Sequence, residues 1–178
     1  MRIISGSHKG RRLRAPKNLP VRPTTDRSKE ALFNILQNQY EWSEIKILDL
    51  FSGTGNISYE FASRGASSVT AVDQNRFCTA FISKSSKELE LEIQVIQSDV
   101  FKFIKDCSLE FDLIFADPPY DIGEEKYFEL IELIFNTIIL NSSGSLIIEH
   151  SEKLNFEKHP NWRNSRNYGS NTFSFFER

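Results

Sequence analysis

The chain has 178 residues, of which 39% are hydrophobic and 26% are charged, and its formal net charge is −2. This length suits one domain with its own hydrophobic core, and the composition excludes a largely disordered chain. No apolar run approaches the roughly 20 residues of a membrane span, and the basic N-terminus lacks the apolar stretch of a signal peptide, so we expect a cytoplasmic protein. Cys78 and Cys107 lack CxxC spacing and a nearby histidine cluster, so neither a metal site nor a disulfide is expected.

Positive charge is concentrated at the N-terminus. Residues 1–29 contain nine Lys and Arg but a single acid, Asp26, so this segment carries +8 and the remaining residues carry −10. A basic segment on an acidic body is typical of proteins that bind a polyanion, although it can also be a tail that only improves solubility. Nucleic acid is the leading candidate partner. The candidate RNA contacts are Arg2, Lys9, Arg11, Arg12, Arg14, Arg22 and Arg27.

The first 27 residues are predicted to form a basic β-hairpin followed by a connector. Residues 2–5 and 11–14 can pair as short strands because glycines lie between them. Prolines after the hairpin favour an extended connector. A helix is expected to follow, capped by Asp26 or Ser28 and ending near Gln39.

From Ile45 onward, apolar runs alternate with helical segments, a pattern typical of a parallel sheet built from βαβ units. The predicted strands are 45–50, 68–73, 92–97, 111–116 and 144–149, and the clearest helices are 57–64, 76–89, 100–105 and 125–140. Residues 162–166 and 172–177 flank a turn that contains Gly169, so a closing antiparallel hairpin is expected at the sheet edge. We expect one α/β domain over residues 1–178, with a Rossmann-like core over residues 28–178.

The strand predicted at 111–116 ends in Asp117-Pro118-Pro119-Tyr120. Two consecutive prolines fix the backbone and remove two N–H donors, so the turn offers carbonyl oxygens and a carboxylate with few competing donors. Such a turn can accept hydrogen bonds from an exocyclic NH2 group, and Tyr120 can stack on the planar ring beside that amine. Taken alone, a Pro-Pro exit from a core strand explains the motif equally well.

A second candidate site follows the strand 45–50. Residues 49–55 read Asp-Leu-Phe-Ser-Gly-Thr-Gly and open a helix, which is where open α/β sheets place ligands. The third glycine of the dinucleotide fingerprint is replaced by Ser58, so a nicotinamide or flavin enzyme is disfavoured. Asp49 would lie near the ammonium of a bound methionine moiety.

Acids also end the next two strands. Asp73 stands twenty residues after Gly53 and can accept both ribose hydroxyl hydrogens of an adenosyl ligand, while Asp99 can accept from the adenine amino group. Each acid could instead cap the helix after its strand, but their joint occurrence predicts an S-adenosylmethionine pocket. The candidate cofactor contacts are Asp49, Phe51, Gly53, Gly55, Asp73, Asp99 and Val100.

These residues resemble the RsmD-like 16S ribosomal RNA guanine-N2 methyltransferases, a family of class I S-adenosylmethionine-dependent enzymes. The similarity runs nearly end to end, and Ser5 stands where that family commonly has glycine. The motifs that carry it are Arg2-Ile3-Ile4, Lys9-Gly10-Arg11, Arg22-Pro23-Thr24-Thr25-Asp26-Arg27 with residues 30–34, Asp117-Pro118-Pro119-Tyr120, Asn161-Trp162 and Tyr168-Gly169.

The resemblance implies a mostly parallel, seven-stranded methyltransferase sheet with helices on both faces. It implies methylation of one guanine N2 in 16S rRNA, within a small ribosomal subunit or its assembly intermediate, by a protein that we expect to be monomeric. It also implies that residues 22–27 form a lid over the cofactor and base pockets, with Thr24 among the cofactor contacts. The catalytic residues would be Asp117, Pro118 and Tyr120: the carboxylate and the Pro118 carbonyl accept the two amine hydrogens while the tyrosine ring stacks on the base.

Two alternatives stay open. The same pocket would serve adenine N6 in DNA or a protein glutamine amide, although the sequence shows no separate DNA-reading domain and a basic hairpin suits structured RNA better. The other alternative is a noncatalytic RNA-binding assembly factor that retains the fold. The intact Asp117, Tyr120, Gly53, Gly55 and Asp73 argue against it.

Overall fold

A computed structural model of the protein describes residues 1–16, 25–169 and 171–178. Arg22 and Thr24, two of the predicted contacts, lie outside the described residues, as does most of the predicted connector and lid. In the described parts of the chain, no helix is both long and apolar enough to cross a membrane.

The described residues form seven strands and five α-helices that alternate through most of the chain. The strands are β1 (Lys46–Leu50), β2 (Ser68–Asp73), β3 (Gln94–Gln97), β4 (Phe111–Ala116), β5 (Leu140–Ser151), β6 (Trp162–Tyr168) and β7 (Asn171–Glu177). The helices are α1 (Asp26–Leu36), α2 (Asn56–Ser63), α3 (Arg76–Glu88), α4 (Val100–Asp106) and α5 (Glu124–Phe135), and a 3₁₀ turn spans Trp42–Glu44.

The strands form one sheet in the order β3-β2-β1-β4-β5-β7-β6. Neighbours from β3 to β5 pair in parallel, whereas β7 lies antiparallel between β5 and β6. The predicted mostly parallel sheet with a closing antiparallel hairpin is therefore confirmed. Because the carboxyl ends of the parallel strands meet at one edge, the segments that follow them can build a common site.

Side chains that alternate along the central strands build a core on each face of the sheet. On one face, Leu48 and Ile114 pack in a buried cluster with α4 and α5. On the other, Ile47 and Leu113 pack with Leu32 and other apolar side chains of α1 and α2. This two-sided burial explains why β1 and β4 read as nearly continuous apolar runs.

Two helices, α1 and α5, end at least three residues earlier than predicted. Thr25, rather than Asp26 or Ser28, caps α1 by accepting a hydrogen bond from the Ser28 backbone N–H, and the helix ends at Leu36. The helix predicted to reach Leu140 ends at Phe135, because Leu140 already pairs with Phe111 in the sheet. Local apolar spacing suggested a continuing helix, but pairing with β4 starts β5 four residues earlier than expected.

The predicted basic hairpin is confirmed at residues 1–13. Arg2 and Arg12 form an antiparallel bridge, and the Ile3 backbone N–H donates to the Arg11 carbonyl at 2.9 Å. Gly6 has φ of +83°, and a Cβ at this position would lie 1.8 Å from the Ser63 carbonyl oxygen. The turn therefore rests so closely on the end of α2 that only glycine fits there.

A buried ion network fastens this hairpin to the core. Glu60 of α2 is fully buried, and its carboxylate accepts from the backbone N–H groups of Ile4 (2.8 Å) and Ser5 (3.0 Å). The same carboxylate lies 3.3 Å from Lys29 Nζ and 2.9 Å from Arg64 Nε. Burial lowers the pKa of Lys29, and the negative charge of Glu60 opposes that shift. The backbone N–H of Ser5 is therefore part of the contact that holds the hairpin on α2.

Replacing Glu60 by glutamine removes the charge that balances two buried cations. We expect Glu60→Gln to lower the free energy of unfolding by about 3–5 kcal/mol, the usual effect of removing one partner from a buried ion pair. Urea unfolding followed by circular dichroism measures this change.

The matched control is Glu88→Gln, which breaks an exposed pair with Lys84 whose charged atoms lie 3.8 Å apart. We expect this control to cost less than about 1 kcal/mol. Equal losses in the two variants would contradict a structural role for the buried network.

Candidate active site

A cavity of about 860 Å³ opens at the carboxyl-terminal edge of the parallel strands. Its walls combine the loop after β1 with the turn after β4, so the structure joins the two halves of the predicted site. The predicted residues that line it are Asp49, Phe51, Gly53, Asp73, Asp99, Val100, Asp117, Pro118 and Tyr120.

Asp73 holds the loop after β1 in place. One of its carboxylate oxygens accepts from the Gly53 backbone N–H at 2.8 Å, and the other accepts from the Asn75 backbone N–H at 2.8 Å. Sequence analysis predicted a ribose contact for this side chain. A carboxylate offers about four lone-pair positions, so it can fix the loop and still accept from a ligand hydroxyl.

Gly55 has a packing role that the sequence did not suggest. It is not among the residues that line the cavity, and it takes φ of +80° at the N-terminus of α2. A Cβ at Gly55 would lie 2.9 Å from Ile82 Cγ1 and 3.0 Å from the Tyr59 ring. This glycine therefore lets α2 and α3 approach each other behind the loop.

Asp49 lies beneath the loop and is only 2% exposed. The Ser58 hydroxyl donates a hydrogen bond to its carboxylate. Burial raises the pKa of Asp49 to about 7; the bonds from Ser58 oppose this rise, and the negative charge of Asp73 adds to it. Ser58, which replaces the third glycine of the dinucleotide motif, is thus the hydrogen-bond partner of the predicted cofactor acid.

A second acid, Glu149, stands beside Asp117. In the parallel pairing of β4 with β5, Ala116 lies opposite Ile148, so Asp117 and Glu149 follow as the next neighbours. Burial raises the pKa of Asp117 well above its usual range, and the charges of Glu149 and then Asp49 raise it further. Sequence analysis missed Glu149, although an acid at the end of a predicted strand was the same signal that identified the others.

The Tyr120 side chain is linked to this acid pair through Asn171. The Tyr120 hydroxyl donates to Asn171 Oδ1 at 3.3 Å, and Asn171 Nδ2 donates to Glu149 Oε1. The tyrosine remains 49% exposed, so its ring is accessible at the edge of the cavity. Asn171 begins β7 and reaches the site only through the antiparallel hairpin, so local sequence carries no signal for it.

Pro118 and Asp99 each already have a partner within the protein. The Pro118 carbonyl accepts from the buried Tyr127 hydroxyl at 3.4 Å. Asp99 caps α4 by accepting from the Lys102 backbone N–H at 2.9 Å, which is the alternative role considered for it. Both residues nevertheless line the cavity.

Aromatic side chains form another part of the cavity wall. The rings of Phe51 and Phe101 meet edge to face with centroids 6.4 Å apart, and Lys126 Nζ lies 5.0 Å from the Phe101 centroid. Phe51 adopts φ of +57°, a conformation that is uncommon for residues other than glycine. These rings offer an apolar surface suited to a planar heterocycle such as adenine.

The predicted RNA contacts that the structure describes lie on the outer surface of the hairpin and of α1. Arg2 also lies 3.3 Å from the Asp26 carboxylate. Lys29, which contributes to the positive charge of this segment, is buried against Glu60 and is not available to a polyanion. The exposed members of the predicted set are Arg2, Lys9, Arg11, Arg12, Arg14 and Arg27.

The chemistry of the cavity fits S-adenosylmethionine. Carboxylates of the buried Asp49 and Glu149 and of the half-buried Asp117 face a common space, and a cationic ligand would offset their mutual repulsion. The aromatic wall near Phe101 suits the adenine ring at the other end. S-adenosylmethionine has both features, because it carries an adenosyl group and a positively charged sulfonium.

Comparisons with known proteins agree with this geometry. The family model described as "Conserved hypothetical protein 95" matches residues 1–177. The ribosomal RNA small subunit methyltransferase D of Buchnera aphidicola subsp. Acyrthosiphon pisum is 32% identical over 163 residues, which cover 90% of this chain and 83% of that relative.

Solved structures show the same architecture. A hypothetical protein of Thermus thermophilus is 25% identical with a TM-score of 0.87, over 100% of this chain and 99% of that one. The T. thermophilus 16S rRNA N2 G1207 methyltransferase RsmC, in complex with AdoMet and guanosine, is 19% identical with a TM-score of 0.73, over 90% of this chain and 45% of that one. The second likeness concerns the fold alone. Together, the full-length family match, the curated relative and the cavity show that this chain belongs to the RsmD-like family of S-adenosylmethionine-dependent class I methyltransferases.

Proposed function

We propose that this methyltransferase modifies the exocyclic N2 amine of a guanine in 16S rRNA. One observation carries the proposal: Asp117, Pro118 and Tyr120 line the same cavity as the residues suited to the cofactor. A curated relative is named as a small-subunit rRNA methyltransferase, which supports rRNA as the substrate class. We propose a monomer that acts in the cytoplasm, on a small ribosomal subunit or its assembly intermediate.

Asp117 and Pro118 hold the acceptor amine. The Asp117 carboxylate and the Pro118 carbonyl each accept one hydrogen of the NH2 group, which directs the nitrogen lone pair toward the cofactor side of the cavity. The bond from Tyr127 occupies one lone pair of the Pro118 oxygen and leaves the second for the amine. Most of the acceleration then comes from position and from the electrostatic field of the site.

The acids of the cavity also stabilise positive charge within it. S-adenosylmethionine supplies, when bound, an electrophilic methyl group on a positively charged sulfur. Asp49, Asp117 and Glu149 favour positive charge in this space, including the charge that the amine nitrogen gains as it forms its new bond. The newly methylated nitrogen is cationic and therefore far more acidic than the neutral amine, so its proton can pass to solvent after transfer without a strong general base.

Tyr120 and the basic hairpin help the target base to reach the cavity. A guanine in a helix must rotate out of its stack before its amine can enter the cavity. The exposed Tyr120 ring can then stack on it, an interaction worth about 1–3 kcal/mol per base. The exposed arginines of the hairpin contact phosphates and hold the RNA beside the cavity.

A labelled-methyl assay tests the function directly. We expect transfer to small-subunit particles that lack the modification, with the label mapped to guanine N2, and no transfer to DNA or to a protein glutamine. Asp117→Ala should reduce transfer at least about a hundred-fold while cofactor affinity stays within a few-fold, because the aspartate positions the amine.

The outcomes separate the competing functions. If the label is found on adenine or on a glutamine amide, that group is the substrate and the proposed guanine is not. Cofactor binding without transfer to any acceptor would indicate a noncatalytic factor. An active Asp117→Ala protein would contradict the proposed role of the aspartate.

The raised pKa of Asp49 predicts pH-dependent cofactor affinity. A cation binds better to the ionised carboxylate, so affinity for S-adenosylmethionine should increase from pH 6 to pH 8, through the pKa of about 7 of the free protein, and then level off. Calorimetry in buffers of different ionisation enthalpy should show proton release on binding.

Two controls identify the source of this effect. S-adenosylhomocysteine, which lacks the positive sulfur but keeps the methionine ammonium expected near Asp49, should show a similar pH dependence. Asp49→Asn should flatten the dependence for both ligands. An unchanged pH dependence in Asp49→Asn would contradict the assignment.

The exposed hairpin arginines should set the salt dependence of RNA binding. Replacing Arg11, Arg12 and Arg14 by glutamine should weaken binding and lower the slope of log affinity against log salt by about 0.7–0.9 for each lost phosphate contact. Arg163→Gln, at an exposed arginine of β6, serves as the control and should leave the slope unchanged. An unchanged slope in the triple variant would exclude the hairpin from the RNA interface.

A further inference from the structure

We propose that Glu149 recognises the N1–H of the target guanine and thereby excludes adenine from the cavity. This inference rests on the proposed function and names the residue that determines its base specificity. Sequence analysis assigned no role to this glutamate, and recognition of the amine by Asp117 and Pro118 does not by itself distinguish guanine from adenine.

Glu149 occupies the position that such recognition requires. The register of β4 against β5 places it directly beside Asp117, with the preceding residues, Ala116 and Ile148, paired across the two strands. Both side chains line the cavity, and Glu149 is only 2% exposed. An amine held by Asp117 therefore brings the adjacent ring atom of its base toward Glu149.

The chemistry of the two purines differs at that adjacent atom. In guanine, the N2 amine stands next to the N1–H, so this edge presents hydrogen-bond donors to both Asp117 and Glu149. In adenine, the N6 amine stands next to an unprotonated N1, which is an acceptor. The Glu149 carboxylate is an acceptor, so it satisfies the guanine N1–H and leaves adenine N1 facing a like group. A site that hydrogen-bonds one substrate rejects an analogue that leaves its buried polar groups unpaired.

The surrounding hydrogen bonds orient Glu149 for this task. Asn171 Nδ2 donates to Glu149 Oε1, and the Tyr120 hydroxyl in turn donates to Asn171 Oδ1. The ring proposed to stack on the base is thus linked to the carboxylate proposed to recognise its edge. Because a carboxylate offers about four lone-pair positions, the bond from Asn171 is compatible with a further bond from the base.

The test uses nucleosides that share the N2 amine but differ at N1. Guanosine has an N1–H, whereas 2,6-diaminopurine riboside and 2-aminopurine riboside have an acceptor at N1 and differ from each other only at position 6. Behaviour common to the two analogues therefore reports on N1. Binding is measured by saturation-transfer NMR on the full-length protein saturated with sinefungin, a cofactor analogue with an amine in place of the sulfonium.

The wild-type protein should bind guanosine about 10- to 100-fold more tightly than either analogue, the range expected for a paired base-edge contact. In Glu149→Gln, whose amide offers a donor as well as an acceptor, this preference should fall below about three-fold. Glu149→Asp, which keeps the carboxylate, should retain part of the preference. Glu132→Gln, at an exposed glutamate of α5, should retain all of it.

Any of three results in the nucleoside binding test would overturn the proposal: equal binding of the three nucleosides by the wild-type protein, an unchanged preference in folded Glu149→Gln, or no guanosine binding at all. Loss of sinefungin binding in Glu149→Gln would also overturn it, because the glutamate would then serve the cofactor. The labelled-methyl assay keeps this failure separate from failure of the proposed function. If the labelled methyl is transferred to guanine N2 but the nucleoside binding test is negative, only the proposed role of Glu149 is contradicted.

Discussion

The parallel pairing of β1 with β4 is the constraint on which the site depends. Leu50 lies opposite Ala116 at the end of the pairing, and the Asp117 backbone N–H donates to the Leu50 carbonyl at 3.3 Å. The loop after β1 and the turn after β4 therefore leave the sheet at the same point, although more than sixty residues separate them in sequence. This pairing brings the residues proposed to hold the cofactor and those proposed to hold the acceptor amine into one cavity.

The site concentrates negative charge among buried and half-buried side chains. Asp49 and Glu149 are buried and Asp117 is half-buried beside them, which is unfavourable for the ionised carboxylates in the free protein. A cationic cofactor would offset this repulsion, and so would the proposed donor edge of a base. The basic surface of the hairpin lies outside the cavity, so the positive and negative charges of the protein are kept apart.

Glu60 connects the basic hairpin with the core of the domain. Its carboxylate accepts from two backbone N–H groups of the hairpin and pairs with Lys29 of α1. Lys29 Nζ in turn donates to Asn56 Oδ1 at 2.9 Å, and Asn56 lines the cavity. The hairpin is thus held by the same buried network that reaches the cofactor loop, which fixes the placement of its arginines relative to the site.

The sequence alone determined most elements and the identity of the predicted acids. Strands and helices of the parallel region were predicted to within about two residues, except near Leu140, because apolar periodicity and strand-end acids are local signals. The position of the Asp117-Pro118-Pro119-Tyr120 turn directly after β4 was predictable in the same way. The burial of Lys29 could not be predicted from the sequence, since its partner Glu60 is distant in the chain.

Only the tertiary structure decided how these residues combine. Leu140 joined β5 because its hydrogen bonds to β4 outweighed a local helical pattern. Glu149 became the neighbour of Asp117 through strand register, and Asn171 reached both through an antiparallel hairpin whose pairing no local pattern specifies. Strand order and register arise from contacts between distant segments, so the sequence revealed which chemistry was present and the fold decided which groups act together.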